Sequence, residues 1–141
     1  MSLFKTPGTG KGFYRPYPGQ YIGEFVGVSE GPPSKFTNAD GTAKGTVRWG
    51  WMLYTQDGQP VMNEGSQAEG DGLTSESTGP DSTAAEWFKA HGRPLSIGDD
   101  MDKAVEEITG KKVLLLYAPS GDKDDSGNEY GRLRVVMPYN G

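Results

Sequence analysis

Glycine and proline make up 32 of the 141 residues (22 Gly and 10 Pro), and their spacing limits the chain to short regular segments. Proline removes a backbone donor and glycine weakens the interior of helices and strands, so long elements are not expected. Three Trp, seven Tyr and five Phe still supply apolar area for a core, as does the run VLLLY at 113–117. The combination predicts one small all-β domain with long loops and little helix.

Five segments have the alternation and the β-branched or aromatic content of strands. They are residues 20–28, 46–55, 59–63, 112–118 and 130–137. The Asp57-Gly58 pair separates the second strand from the third and is a strong hairpin signal. Residues 1–18 contain three prolines and three glycines, which predicts an extended arm before a single domain over 19–141.

Two short helices are predicted between the third and fourth strands. The sequence TAAE at 83–86 has capping-box spacing, so a helix begins near Ala84 and stops at Gly92. A second helix begins after the aspartates at 99–100 and ends at Gly110. The segment 63–82 has five acids, four glycines and no basic residue, which predicts a solvated or disordered acidic loop.

Three strands, a helical connection and two further strands follow one another, with long loops after the first and fourth strands. This is the element order of the OB-fold, a mainly β, five-stranded Greek-key barrel in which strands 2 and 3 and two loops bind the ligand. The predicted fold is therefore an OB-fold with a short helical connection between strands 3 and 4. Other five-stranded folds share the order, so the topology stays open at this stage.

The net charge of −5 is distributed unevenly along the chain. Residues 1–51 have a net charge of +3, residues 52–110 of −9 and residues 111–141 of +1. Nucleic-acid binding usually needs a basic surface, which the average charge does not show. If the first and last thirds meet in space, one face is basic although the whole protein is acidic.

The chain has no Cys and a single His, His91, which excludes disulfides, thiolate zinc sites and His-rich metal sites. His91 precedes Gly92 at the predicted end of the first helix, where a cationic cap would favour the helix dipole. No run approaches the roughly 18 apolar residues that a membrane helix needs. The sequence predicts a cytoplasmic protein without cofactor, metal or membrane partner.

Four segments resemble OB-fold single-stranded DNA-binding proteins of phage replication modules. They are PYPGQYIGEFVGV, WGWMLYTQDG, AAEWFKAHGRPL and GKKVLLLYAPSGDKDDSGNEYGRLRVVMP, and the resemblance covers roughly residues 18–138. The resemblance implies binding of single-stranded DNA with little sequence specificity, in replication or recombination within the host cytoplasm. It also implies other replication or recombination proteins as partners and is compatible with a homo-oligomer. Many such proteins end in an acidic tail that recruits partners. This chain ends VVMPYNG, and the acidic 63–82 segment is a candidate for that role.

Binding of single strands requires aromatic faces for the bases and cations along the backbone. The predicted DNA-binding residues are Lys35, Phe36, Lys44, Arg48, Trp49, Trp51, Tyr54, Arg132 and Arg134. Alternation puts both tryptophans on one face of the second strand and Arg48 and Tyr54 on the other. The two tryptophans either belong to the core or face the ligand. Phe36 either holds its loop against the barrel or stacks on a base. The two arginines of the last strand lie either on a binding face or on an ordinary solvated face.

Two other classes of function remain as alternatives. The first is a non-catalytic structural or protein-interaction module on the same barrel, such as a virion component or an inhibitor. The second is an enzyme, for example a metal-dependent nuclease using carboxylates. The enzyme is disfavoured because the acids cluster in loop sequence rather than on paired strand ends.

Overall fold

The structure is a computed structural model that describes residues 13–32, 41 and 45–139. The strands and helices are β1 (Gly19–Glu30), β2 (Thr46–Tyr54), β3 (Met62–Asn63), β4 (Ser66–Gln67), β5 (Glu69–Ser75), α1 (Thr83–Ala90), α2 (Met101–Ile108), β6 (Lys112–Lys123) and β7 (Glu129–Pro138). The protein is mainly β, as predicted, and β1, β2, β6 and β7 confirm four of the predicted strands.

One antiparallel sheet contains five strands in the order β5-β2-β1-β6-β7. The sheet is not closed, so β5 and β7 form its two edges. A separate two-stranded hairpin joins β3 to β4. No helix among the residues 13–32 and 45–139 is long and apolar enough to cross a membrane.

The third strand of the sheet differs from the predicted one. The Asp57-Gly58 turn forms, with the Thr55 N–H donating to the Gln59 carbonyl over 2.7 Å. The 59–63 segment that follows contributes only an isolated bridge at Pro60 and the short β3. The edge strand is β5 instead, so the prediction of a loop throughout 63–82 is wrong.

Small residues let β5 pack beside the largest side chains of the core. Gly72 and Gly70 lie directly opposite Trp49 and Trp51 in the β2–β5 register. A Cβ at Gly72 would collide with Leu133 and with the ring of Trp87, which come from other elements. The inward positions of β5 include glycines, which leave space for the tryptophans, and its acids point outward. The strand therefore lacks the alternation of apolar and polar residues by which strands are recognised in a sequence.

The two helices begin and end close to their predicted positions. Ser82 rather than Thr83 caps α1, and its hydroxyl accepts from the Ala85 N–H over 3.1 Å. Asp100 caps α2, accepting from the N–H groups of Asp102 and Lys103. Both caps satisfy backbone donors that have no partner within the helix.

The core lies between the inner face of the sheet and the helices. Its largest fully buried side chains are Trp49, Trp51, Phe25 and Phe88. The Trp49 ring packs edge-on against the Phe88 ring at 5.0 Å between centroids. Aromatic pairs in this geometry stabilise beyond their buried area, by about 0.5–1.5 kcal/mol each.

Candidate nucleic-acid interface

The prediction that Trp49 and Trp51 stack on bases does not fit their position, since both are 0% exposed. The Trp49 Nε1–H donates to Thr74 Oγ1 over 2.9 Å, and the Trp51 Nε1–H donates to His91 Nε2 over 3.0 Å. Both rings are packed inside the protein, and both indole N–H groups already have hydrogen-bond acceptors there. The glycines of β5 provide the space that two buried tryptophans need.

His91 is the C-cap of α1, as predicted, but it is not a cation there. Its Nε2 accepts from Trp51 and its Nδ1 lies 2.6 Å from the Trp87 carbonyl oxygen, so the proton is on Nδ1. Burial lowers the pKa of His91 from 6.5 to about 4, against the opposing effect of the hydrogen bond to Trp87. The neutral imidazole therefore joins α1 to β2.

Residues 13–18, here called the strap, lie across the opening between the two edges of the sheet. The Tyr14 N–H donates to the Glu69 carbonyl of β5 over 2.8 Å. The Pro16 carbonyl accepts from the Gly131 N–H of β7 over 2.7 Å, and Pro16 is fully buried. This part of the predicted arm is therefore docked against both edges.

Side chains of the strap also hold the hairpin between β6 and β7. Arg15 Nη2 lies 3.1 Å from Asp122 Oδ2, and the Tyr17 hydroxyl donates to Asp124 Oδ2 over 2.6 Å. This hydrogen bond is the main cause that raises the pKa of Tyr17 and lowers that of Asp124. The rings of Tyr17 and Tyr130 are stacked, with 6.0 Å between centroids and 8° between planes.

A cleft of about 450 Å³ follows the seam between β5 and β7. Its lining includes the apolar side chains of Trp87 and Leu133 together with charged side chains from the strap, from β5, from β6 and from β7. The lining residues are Arg15, Pro16, Asp71, Gly72, Leu73, Trp87, Tyr117, Ser120, Asp122, Gly131, Arg132 and Leu133. This seam cleft brings Arg132 beside Arg15, a residue that sequence reasoning did not select.

Arg48 approaches the same place from the outer face of β2. Its Nε lies 3.2 Å from Asp71 Oδ2 without the geometry of a hydrogen bond, and its guanidinium lies 5.4 Å from the centre of the Phe13 ring. Burial raises the pKa of Asp71, while Arg48 and Arg15 act in the opposite direction. Three arginines, Arg15, Arg48 and Arg132, are thus grouped around the seam.

Tyr54 shares the outer face with Arg48 but lies at the far end of β2. They are six positions apart in the chain, which is about 20 Å along a strand. The Tyr54 hydroxyl donates to Glu24 Oε1 over 3.0 Å, and Lys112 Nζ lies 5.2 Å from the centre of its ring. Tyr54 is therefore not brought together with the arginines of the seam.

Arg134 is separated from Arg132 by a β-bulge in β7. Leu116 pairs with Val135 and Tyr117 pairs with Leu133, which leaves Arg134 as the extra residue. Both arginines are exposed, but Arg134 lines a groove beside α1, near Glu86 and Lys89. Regular alternation, which predicted one shared face, does not apply across the bulge.

The remaining predicted residues, Lys35, Phe36 and Lys44, lie outside the described residues. Sequence reasoning missed Arg15, Tyr17 and Tyr130. The motif FYRPYP at 13–18 contained a signal, because three aromatic rings and two prolines within six residues favour a docked extended segment over a mobile one.

Comparison of the sequence with protein-family models finds no matching family, and comparison with curated proteins finds no similar sequence. Within the described ranges, no group of three or more His, Asp or Glu side chains is placed to hold a metal ion.

Proposed function

We propose that the protein binds single-stranded DNA with little sequence preference, along the seam cleft, and acts in phage-type replication or recombination. The observation that supports this most is that Arg15 and Arg132 line one cleft, while Arg48 pairs with Asp71 of the same lining. Arginine binds phosphate through planar, bidentate contacts, and an unspecific binder needs such cations at several points along the strand.

The proposed fold behind this function is an open OB-fold. In chain order the sheet contains β1, β2 and β5, then the helical connection, then β6 and β7, and the β3–β4 hairpin lies between β2 and β5. Its edges β5 and β7 would meet if the sheet closed. The OB-fold is a partly open five-stranded barrel that binds oligonucleotides on its surface. Here the strap occupies the opening.

Aromatic contact with bases comes from the strap in this proposal rather than from the tryptophans. Tyr17 is 40% exposed, and its ring is held parallel to that of Tyr130 at the end of the seam cleft. A base stacked on an aromatic side chain contributes about 1–3 kcal/mol. A ring already oriented by a hydrogen bond to Asp124 loses little conformational freedom on binding.

The acids at the seam are compatible with phosphate binding because they are paired. The Arg15–Asp122 pair is exposed, and such pairs contribute only about 0–1 kcal/mol. A phosphate is therefore able to compete for Arg15 at little cost. Arg132 takes part in none of the ion pairs found among the residues 13–32 and 45–139.

Titration of a fluorescein-labelled oligo-dT at two salt concentrations, followed by anisotropy, tests the proposal. Anisotropy is preferred to tryptophan quenching because Trp49 and Trp51 are fully buried and Trp87, in the cleft, is only 7% exposed. Arg132→Ala is compared with Arg134→Ala, which removes the same charge from the same strand outside the seam. We expect Arg132→Ala to weaken binding and to reduce the slope of log K against log salt by about 0.7, the value of one phosphate contact. We expect Arg134→Ala to leave both unchanged.

Two results would count against this function. Absence of oligo-dT binding by the wild-type protein at low salt would reject it and favour the non-catalytic interaction module. If Arg132→Ala and Arg134→Ala lose oligo-dT affinity equally, the protein binds DNA but the proposed path along the seam cleft is wrong.

A further inference from the structure

The loop between the two helices presents an isoleucine to solvent in a fixed conformation. Arg93 holds this loop, since its Nε donates to Glu107 Oε2 and its Nη1 to the Pro94 carbonyl, both over 2.6 Å. Asp99 Oδ2 accepts from the Ser96 N–H over 2.6 Å and lies 3.1 Å from Arg93 Nη1. These bonds close the loop on both sides of Ile97.

Ile97 has a relative exposure of 101%, the highest among the large exposed apolar residues of the described chain. Its side chain makes no contribution to the core, although the loop that carries it is held by several hydrogen bonds. A single exposed apolar residue is common, but this one borders a cavity of about 500 Å³. Leu95, Met101, Pro80 and Ala85 contribute apolar surface to that cavity.

The surroundings of this cavity are acidic. Residues 76–107 have eight acids and three basic residues, a net charge of −5 that equals that of the whole chain. The cavity lining itself contains one cation, Lys89, and one acid, Asp99. Two exposed aspartates are chain neighbours of lining residues, since Asp81 follows Pro80 and Asp102 follows Met101. Ile97, the cavity and these acids are here called the helical-end surface. It has no lining residue in common with the seam cleft.

We infer that the helical-end surface docks a basic segment of another protein, whose apolar side chain enters the cavity beside Ile97. An apolar anchor within a charged rim is the usual form of a protein contact site. DNA is not a suitable ligand because its phosphates would face the acids. A second copy docking through the same surface is disfavoured because it would bring two negative surfaces together.

Selection of binders from a random 12-residue displayed peptide library, against the full chain at about 0.15 M salt, tests this inference. We expect the selected peptides to be enriched in Lys and Arg around one or two aliphatic or aromatic residues. A synthetic peptide of the most enriched sequence is then titrated against variants of the protein. We expect Ile97→Ser to weaken its binding by about tenfold or more, as for a central contact residue.

Met62→Ser is the matched control, because Met62 is also an apolar residue, 59% exposed, but lies in the β3–β4 hairpin. It should bind the peptide like the wild type. The double variant Asp81→Asn/Asp102→Asn should weaken binding at low salt more than at high salt, since it removes two charges of the rim. Because Ile97 is fully exposed, Ile97→Ser is expected to fold normally, and a circular dichroism spectrum checks this.

The inference is overturned if the library yields no binders, if the binders lack basic residues, or if they bind Ile97→Ser as well as the wild type. It does not depend on the proposed DNA binding. Oligo-dT affinity should be unchanged in Ile97→Ser and lowered in Arg132→Ala, so each surface is tested by a variant that leaves the other intact.

Discussion

The seam cleft and the helical-end surface are built from the same core but differ in charge. At the seam, three arginines meet two aspartates, and Asp71 and Asp122 each lie in an ion pair with one of them. At the helical end, acids outnumber basic residues and adjoin an apolar cavity. The difference explains how an acidic protein has a region where three arginines lie close together, because its negative charge is concentrated near the helices.

The two regions also differ in how they are held. The strap holds the seam through backbone bonds to both edges of the sheet and through side-chain contacts of Arg15 and Tyr17. At the helical end, one residue, Arg93, holds its loop through three acceptors. A substitution in one region should therefore leave binding at the other region unchanged, unless it falls in the core that both regions share.

The largest effect is expected from Trp49→Ala, which removes a fully buried ring of that shared core. Loss of a buried tryptophan should lower the free energy of unfolding by about 3–5 kcal/mol, and both surfaces should lose their ligands together as the protein unfolds. Urea denaturation measures the change. Met62→Ala, in an exposed hairpin, should change the free energy by no more than about 0.5 kcal/mol. Weaker oligo-dT binding by Trp49→Ala at unchanged stability would instead assign the ring to the DNA site.

The next effect concerns pH, because His91 joins α1 to the sheet as a neutral ring. Its folded pKa of about 4 is below the unfolded value of 6.5, so its stabilisation is complete above pH 6.5 and is lost as the pH falls from 6.5 to 4. The loss amounts to about 3 kcal/mol. Urea denaturation between pH 4 and 7 should show a smaller pH dependence for His91→Gln than for the wild type.

Comparison of the wild type with His91→Gln separates the pH dependence due to His91 from that due to the acids at the seam. Burial raises the pKa values of Glu69 and Asp71, whose stabilisation is present at low pH and is lost as the pH rises through the raised values. This contribution has the opposite sign and is common to both proteins. Parallel pH profiles would contradict the neutral, buried imidazole.

A moderate effect that is confined to the seam is expected from Gly131→Ala. The added Cβ would lie 2.8 Å from the Cβ of Tyr117 and 3.0 Å from the Pro16 carbonyl oxygen, so the strap must shift. We expect a loss of about 1–3 kcal/mol in the free energy of unfolding and weaker oligo-dT binding. Peptide binding at the helical end should not change. Gly79→Ala is the control because the added Cβ meets open space. It should change neither the free energy of unfolding nor oligo-dT binding.

The smallest effect on stability is expected from Arg15→Ala, which removes an exposed ion pair of the strap. The free energy of unfolding should fall by no more than about 1 kcal/mol. The salt dependence of oligo-dT binding should nevertheless decrease by the value of about one phosphate contact. Arg93→Ala removes a cation from the helical end and should leave oligo-dT binding unchanged. Equal effects of the two variants on DNA binding would mean that the regions are not distinct.

Much of the fold followed from local signals. The Asp57-Gly58 pair marked a turn, and alternation correctly placed Trp49 and Trp51 on one face of β2. Such signals are readable because turn geometry, capping and side-chain alternation depend on residues close in the chain. The strand β5 was missed because its inward residues, Gly70 and Gly72, are small.

The candidate site was less accessible to sequence reasoning. Arg48 and Arg132 were selected from alternation and both lie at the seam, whereas Arg134 was paired with Arg132 and is turned away by the bulge. Arg15 was missed because nothing local indicates that the segment carrying it crosses from one sheet edge to the other. Binding of DNA by any of these residues stays a prediction until it is measured.

By itself, the sequence determined the all-β class, the positions of the turns and helix caps, and the uneven charge along the chain. Only the tertiary structure decided which face of β2 is the core and which arginines meet. The reason is that the side chains around Trp49 come from distant segments, Phe25 of β1 and Phe88 of α1 among them. In the same way, the seam exists only where the strap, β5 and β7 come together. Contacts between distant segments depend on how the whole chain folds, so local sequence patterns do not predict them.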